Sequence, residues 1–145
     1  SVGLHEAHLK GSAGYAGAIT CADCHKVPSS LKDAGHLDSD LPAEVTFSAL
    51  ASGGGNKPTW DRTKATCTNV YCHNLDGGKV TSWTWTKKAT PSLNCDSCHG
   101  LPPAKTSSGG THPTAAACNI CHSTAYSSST GALDPAKHIN GKVDL

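Results

Sequence analysis

At 145 residues the chain suits one domain spanning 1–145, yet only 37% of it is hydrophobic and it holds a single Phe, too little for an ordinary core. With Gly 15, Pro 8 and abundant Ser and Thr, such a polypeptide stays disordered unless something else supplies apolar surface. A formal charge of +1 with no basic stripe argues against nucleic acid as a partner, and no apolar run approaches the roughly 18 residues of a transmembrane segment.

The chain opens at Ser1 with neither a basic leader nor an initiator Met, so a mature, exported product is expected, and without an N-terminal Cys no lipoprotein anchor is expected. In His5-Glu6-Ala7-His8-Leu9, the two histidines three apart would share one helix face and could serve two neighbouring metals. A pair of plain surface histidines is the alternative. Gly11, Gly14 and Gly17 then loosen the chain up to Cys21-Ala22-Asp23-Cys24-His25. Pro28 and Gly35 mark turns ahead of His36. Val45, Phe47 and Ala49 alternate with Glu44, Thr46 and Ser48, which predicts a strand over Glu44 to Leu50, the one clean strand signal. Ser52 to Asn56, with three consecutive glycines, reads as a flexible loop.

Cys67-Thr68-Asn69-Val70-Tyr71-Cys72-His73 places four residues between its thiols, an insertion that could bulge outward while the sulfurs keep their separation. A disulfide or half of a zinc site is the alternative there. Two shorter motifs follow, Cys95-Asp96-Ser97-Cys98-His99 and Cys118-Asn119-Ile120-Cys121-His122, with His112 between them. Ser123 to Thr130 reads as a Ser/Thr-rich linker. Asp134 as N-cap, Pro135 at the first helical position and Gly141 as stop predict a helical turn that carries His138.

Weak internal repeats point to a modular chain. Thr59 to Thr66 before Cys67 resembles Thr84 to Thr90 before Cys95, and Cys24 to Pro28 with Gly35-His36 resembles Cys98 to Pro102 with His112. Trp60, Trp83 and Trp85 suit packing against a porphyrin or, equally, an ordinary core.

All eight cysteines fall into four pairs, each followed at once by His. That is the attachment signal of c-type haem, in which two thiols add to the porphyrin vinyls and the next histidine becomes an axial iron ligand. Zinc sites use paired cysteines but place no demand on the next residue. On the haem reading Cys21, Cys24, Cys67, Cys72, Cys95, Cys98, Cys118 and Cys121 carry four covalent haems c, with His25, His73, His99 and His122 proximal. His5, His8, His36, His112 and His138 remain as five candidates for four distal positions. With no Met in the chain, His/Met ligation is unavailable and low-potential bis-histidine ligation follows. Fully ligated irons suit electron transfer and argue against catalysis, which needs an open position. Haem propionates would also make the oxidised holoprotein mildly acidic. The expected fold is mostly irregular coil with short helices and at most a small β element, organised around four covalently bound haems.

The set His5 to Leu9, Cys21 to Pro28, Gly35 to Asp38, Ala43 to Ala51, Pro58 to Asp61, Cys67 to His73, Cys95 to Pro103, Thr111 to Pro113, Cys118 to His122 and His138 to Asp144 resembles the multihaem c-type cytochromes of metal-reducing bacteria that mix one Cys-x4-Cys-His motif with several Cys-x2-Cys-His motifs. The resemblance implies a secreted electron carrier that meets redox partner proteins or extracellular electron acceptors. It also implies a homo-oligomer or homopolymer, since some members form extracellular filaments of stacked haems in which a histidine of one subunit ligates a haem of the next. With about 36 residues per haem, the cofactors would lie close together. A monomeric periplasmic shuttle and a multihaem oxyanion reductase are the alternatives, and a metal-binding structural module is a third.

Overall fold

The computed structural model describes residues 3–11, 14–36, 38, 43–74, 81–86, 94–106, 109–114 and 117–142. Among these residues coil and turns dominate, with one short α-helix and two small antiparallel sheets. Helix α1 spans His5–Leu9. At just over one turn it is too short to persist alone, and its Lys10–Glu6 ion pair (2.6 Å) is exposed. Tertiary anchoring comes instead from the Ile19 N–H, which donates to the His8 carbonyl (3.2 Å). Gly11 makes this return possible: its φ is +74°, and a Cβ there would lie 2.9 Å from the Ala16 carbonyl oxygen.

Strands β1 (Thr59–Asp61), β2 (Thr66–Thr68) and β3 (Ser82–Thr84) form the larger sheet in that order. Trp60 and Trp83 both pair with Cys67, so the first thiol of the longer motif is a strand residue flanked by two indoles. The β1–β2 turn is closed by the Asp61 carboxylate, which accepts from the Lys64 N–H (3.0 Å). The smaller sheet pairs β4 (Tyr126–Ser127) with β5 (Ala132–Leu133).

Three expectations are corrected. Glu44 to Leu50 is not a strand: its extended part bonds to a turn, with Thr46 N–H donating to the Cys24 carbonyl (2.9 Å) and Ser48 N–H to that of Asp23 (3.1 Å). Two bonds to a turn make no ladder. The supposed linker after His122 is instead a hairpin, because Gly131 at φ +65° lets its N–H reach the Ser127 carbonyl (2.8 Å). The four-residue insertion of Cys67 to His73 also turns inward: Tyr71 is 9% exposed, its N–H donates to Ala51 (2.8 Å), and its ring packs on Gly53. The triglycine segment forms a single 3₁₀ turn, Gly53–Gly55, beneath that ring. In the Trp repeat, Trp60 lies within β1 and Trp85 beyond the end of β3; Lys87 to Thr90 fall outside the described residues, as do Leu37, Val143 and Asp144 of the quoted motifs.

Among the described residues only Ala51 and Tyr71 are buried hydrophobics. The chain exposes 9675 Å², against roughly 7,000 Å² for a compact protein of its mass. Among the described residues the polypeptide has scarcely any core of its own.

Candidate metal centres

Each Cys-x2-Cys-His motif is a tight turn, as two intervening residues require. In the first, His25 N–H donates to the Cys21 carbonyl (2.9 Å); in the fourth, His122 N–H donates to that of Cys118 (2.9 Å). The third turns over Cys95–Cys98, with Ser97 N–H on the Asn94 carbonyl (3.0 Å). The longer motif leaves β2 through Asn69 at φ +54° and ends in a 3₁₀ turn at Tyr71–His73. All four turns leave the motif histidine half-buried.

Each of these histidines faces a different histidine from elsewhere in the chain. Ring centres are 6.2 Å apart for His25 and His5, 6.0 Å for His73 and His8, 6.3 Å for His99 and His138, and 6.2 Å for His122 and His112. Aromatic neighbours in general span 4.5–7 Å, so one such distance would mean little. Four independent pairs within 0.3 Å of one another mean more. A transition metal sits about 2 Å from an imidazole nitrogen, which puts the ring centres of two trans imidazoles about 6.3 Å apart. The pairs have the separation that one metal atom between them requires.

Hydrogen bonding sets which nitrogen is left free for a metal. Nδ1–H donates to a backbone carbonyl in His25 (Glu44, 2.6 Å), His8 (Leu4, 2.9 Å), His99 (Gly100, 2.6 Å), His138 (Tyr15, 2.5 Å) and His112 (Pro113, 2.7 Å). A carbonyl can only accept, so Nδ1 carries the proton and a neutral ring keeps the Nε2 lone pair for a metal. Such an outer bond is the usual companion of a metal-bound histidine. Every pair contains at least one ring anchored in this way. Burial pushes His73 down to about 4, with a further contribution from His8, so its ring is neutral at physiological pH and able to ligate.

His36 stands apart. It is exposed whereas the eight paired histidines are half-buried, and among the described residues its ring has no aromatic partner; its Nδ1 meets the Leu31 carbonyl at 3.2 Å. Five distal candidates thus divide into four that face a motif histidine and one that faces solvent.

The first two centres are neighbours. His5 and His8 emerge from the same side of α1, and the Trp85 indole lies 5.0 Å from one ring and 5.1 Å from the other. These contacts limit the midpoints of the two pairs to at most about 16 Å apart. Nothing in the sequence marks Trp85 over Trp60, although Trp83 also joins the cluster, 4.7 Å from His73. The carbonyl acceptors Leu4, Tyr15 and Glu44 have no side-chain signature at all.

The thiols fit attachment to a porphyrin better than either alternative. All eight are free, and among the described residues no three His, Cys, Asp or Glu side chains converge as a metal site of the zinc type would need. Desolvation pushes Cys67 and Cys72 up to about 11, with the Cys24 thiol adding to both, and it raises Cys24 and Cys98 as well. These thiols are protonated at neutral pH. Nearby Asp23 is ionised: burial would raise it, but hydrogen bonds from Thr20 and Ser48 hold it below the usual carboxylate range. Leu9, Val27, Leu101 and Ile120 are large, apolar and exposed, and each lies within two residues of a paired histidine. A cleft lined by His5, His8, Leu9, Ile19, Cys21, Cys24, His25 and Trp85 joins the first thiol pair to its facing rings. Thiols, facing imidazoles and apolar walls therefore suit a flat, apolar group carrying a central metal.

Residues 66–99, which contain the second and third motifs, match the family described as the Geobacter CxxxxCH...CXXCH motif. No curated protein and no solved structure matches the chain. Among the described residues no helix is long and apolar enough to cross a membrane. Through this signature the sequence carries the haem-attachment motif of a multihaem c-type cytochrome, a class that transfers electrons.

Proposed function

We propose that the protein is a secreted electron carrier with four covalent haems c and no catalytic iron. The observation that carries this reading is the set of four histidine pairs, each joining one motif histidine to one remote histidine at the spacing of a shared metal. The assignments are His25 with His5, His73 with His8, His99 with His138 and His122 with His112. Bound haem supplies a one-electron ferric/ferrous couple. The chain's residues would do the rest: paired cysteines would tether the group, the two facing imidazoles of each pair, at least one of them anchored to a carbonyl, would hold its iron, and the exposed apolar side chains would exclude water from it. Two histidines given to each iron would leave substrate no open position, an arrangement suited to electron exchange rather than catalysis.

Intact mass tests the cofactor count. The secreted holoprotein is expected to be heavier than the polypeptide by four haems, and Cys67→Ser with Cys72→Ser should remove one. His112→Ala should convert one iron from low to high spin, while His36→Ala should leave all four low-spin; the reverse pattern would break the assignment.

The family resemblance further supports a subunit of an extracellular filament in which haems stack from copy to copy, and the small polypeptide mass per haem suits that role. One observation favours a periplasmic shuttle instead: every pair closes within a single chain, so no neighbour's histidine is needed. Electron micrographs of concentrated protein separate the two, with continuous filaments expected for the first and dispersed particles for the second.

A further inference from the structure

The four pairs differ in one respect that their spacing hides. The ring planes of His5 and His25 are 19° apart and those of His112 and His122 are 7° apart. In the other two pairs the planes are crossed, at 69° for His8 with His73 and 70° for His99 with His138. No pair is intermediate. In each pair at least one ring is oriented by the backbone, donating Nδ1–H to a carbonyl.

We propose that this chain sorts its irons into two electronic classes, two with parallel and two with crossed axial imidazoles, and that Trp85 is the positioning residue that keeps the adjacent parallel and crossed sites distinct. The proposal rests on the bis-histidine reading above. Trp85 stands edge-on to His5 at 87° and is tilted by 31° to His8, so one indole braces two rings in different planes. Its main chain is tied down, the Trp85 backbone N–H donating to the Ala65 carbonyl (2.7 Å), and Gly3 lies so close to the ring that a Cβ there would fall 2.2 Å from the indole Nε1.

The consequence follows from orbital overlap. Each imidazole donates π density perpendicular to its plane, into one of two otherwise equivalent iron d orbitals. Parallel rings raise the same orbital, which splits the pair and stabilises the ferric ion, whose unpaired electron occupies the raised level. Crossed rings raise both equally, so the orbitals stay nearly degenerate and the ferric ion is less favoured. The crossed sites therefore accept an electron first, one per iron, when a reductant such as dithionite is titrated in.

Electron paramagnetic resonance of the frozen, fully oxidised holoprotein tests this. Two low-spin signals are expected in equal amounts, one rhombic and one strongly anisotropic with a single large g value, and the anisotropic one should vanish first on reduction. Trp85→Ala should shift one site of each class and leave the other two unmoved, with Trp85→Phe restoring the original line shapes. Gly3→Ala, which pushes on the indole without removing it, should move the same two sites, and His36→Ala none. Four low-spin signals of one class would overturn the proposal while leaving bis-histidine ligation intact. A spectrum unchanged in both Trp85→Ala and Gly3→Ala would overturn the role of Trp85. Absence of low-spin signals altogether would instead remove the bis-histidine reading beneath it.

Discussion

The two ends of this chain hold comparable histidine pairs by different means. In residues 43–86 and the segments that dock on them, a three-stranded sheet, a buried Tyr71 and the Trp83–Trp85 cluster surround the first two centres. In residues 94–142 the third and fourth motifs sit on turns, the fourth leading into a hairpin of two-residue strands, and none of the described residues there is buried. Among the described residues this region is tied to the N-terminal segment by Gly17 N–H, which donates to the Pro135 carbonyl (2.8 Å), and by His138 Nδ1–H, which donates to that of Tyr15. The first region has a rudimentary polypeptide core; among the described residues the second has none. On the proposed haem reading, covalent cofactor would stand in for core to a different degree at each end.

Removing the cofactor should have the largest effect and should widen this contrast. Polypeptide made without haem attachment loses the apolar body that the exposed Val27, Leu101 and Ile120 are placed to cover. In hydrogen exchange, amides of 94–142 are expected to exchange at the rate of an unstructured chain, while those of the sheet at Trp60, Cys67 and Trp83 keep measurable protection. Equal loss in both regions would show that the sheet, too, is held only by haem.

A smaller effect separates the regions within the holoprotein. Tyr71→Ala removes a buried ring that contacts Gly53 and should cost about 3 kcal/mol in chemical denaturation. Tyr126→Ala, in the half-buried β4 of the C-terminal hairpin, should cost about 1 kcal/mol or less. Similar costs at the two positions would erase the distinction between a region with a core and one without.

How much of this was legible in the sequence depended on whether the signal lay in side chains. The three-residue spacing of His5 and His8 does form a helix face, the cysteine motifs do form turns, and Asp134 does cap the turn bearing His138, its carboxylate accepting from Ala136 N–H (2.9 Å). All of these are local and carried by residue type. Strands β1 to β3 escaped because three-residue segments such as Thr59–Asp61 are too short to show a period. Glu44 to Leu50 misled for the opposite reason: it has the alternation of a strand, but its backbone partners are the carbonyls of Asp23 and Cys24. The partner of each motif histidine was hidden as well, because His138 is placed by the carbonyl of Tyr15, 123 residues away in sequence. Main-chain acceptors leave no trace in composition or spacing.

The loop bearing His36 belongs to neither region, and it is organised by polar groups, Asp33 foremost and Asp38, which accepts from Gly35 N–H (2.7 Å). The Asp33 carboxylate accepts from the Ser29 and Ser30 hydroxyls (2.6 and 2.7 Å) and from both backbone N–H groups, and these bonds hold it well below the usual carboxylate range. A carboxyl whose folded value is depressed contributes its stabilisation in full above the unfolded value of about 3.9. That contribution diminishes as pH falls below the unfolded value and is gone only once pH has passed through the lower folded value. The turn should therefore persist as pH drops from 5 to about 3, with the carboxyl carbon of Asp33 showing no NMR titration step over that interval. Asp33→Asn removes the charge at every pH, and should raise amide exchange at Ser29 and Ser30 several-fold without altering the spin state of any iron. A titration step near 4 at Asp33 would mean that the serines do not close on the carboxylate in solution. A change of spin state in Asp33→Asn would mean that His36, which solvent exposure sets apart from the four pairs, reaches an iron after all.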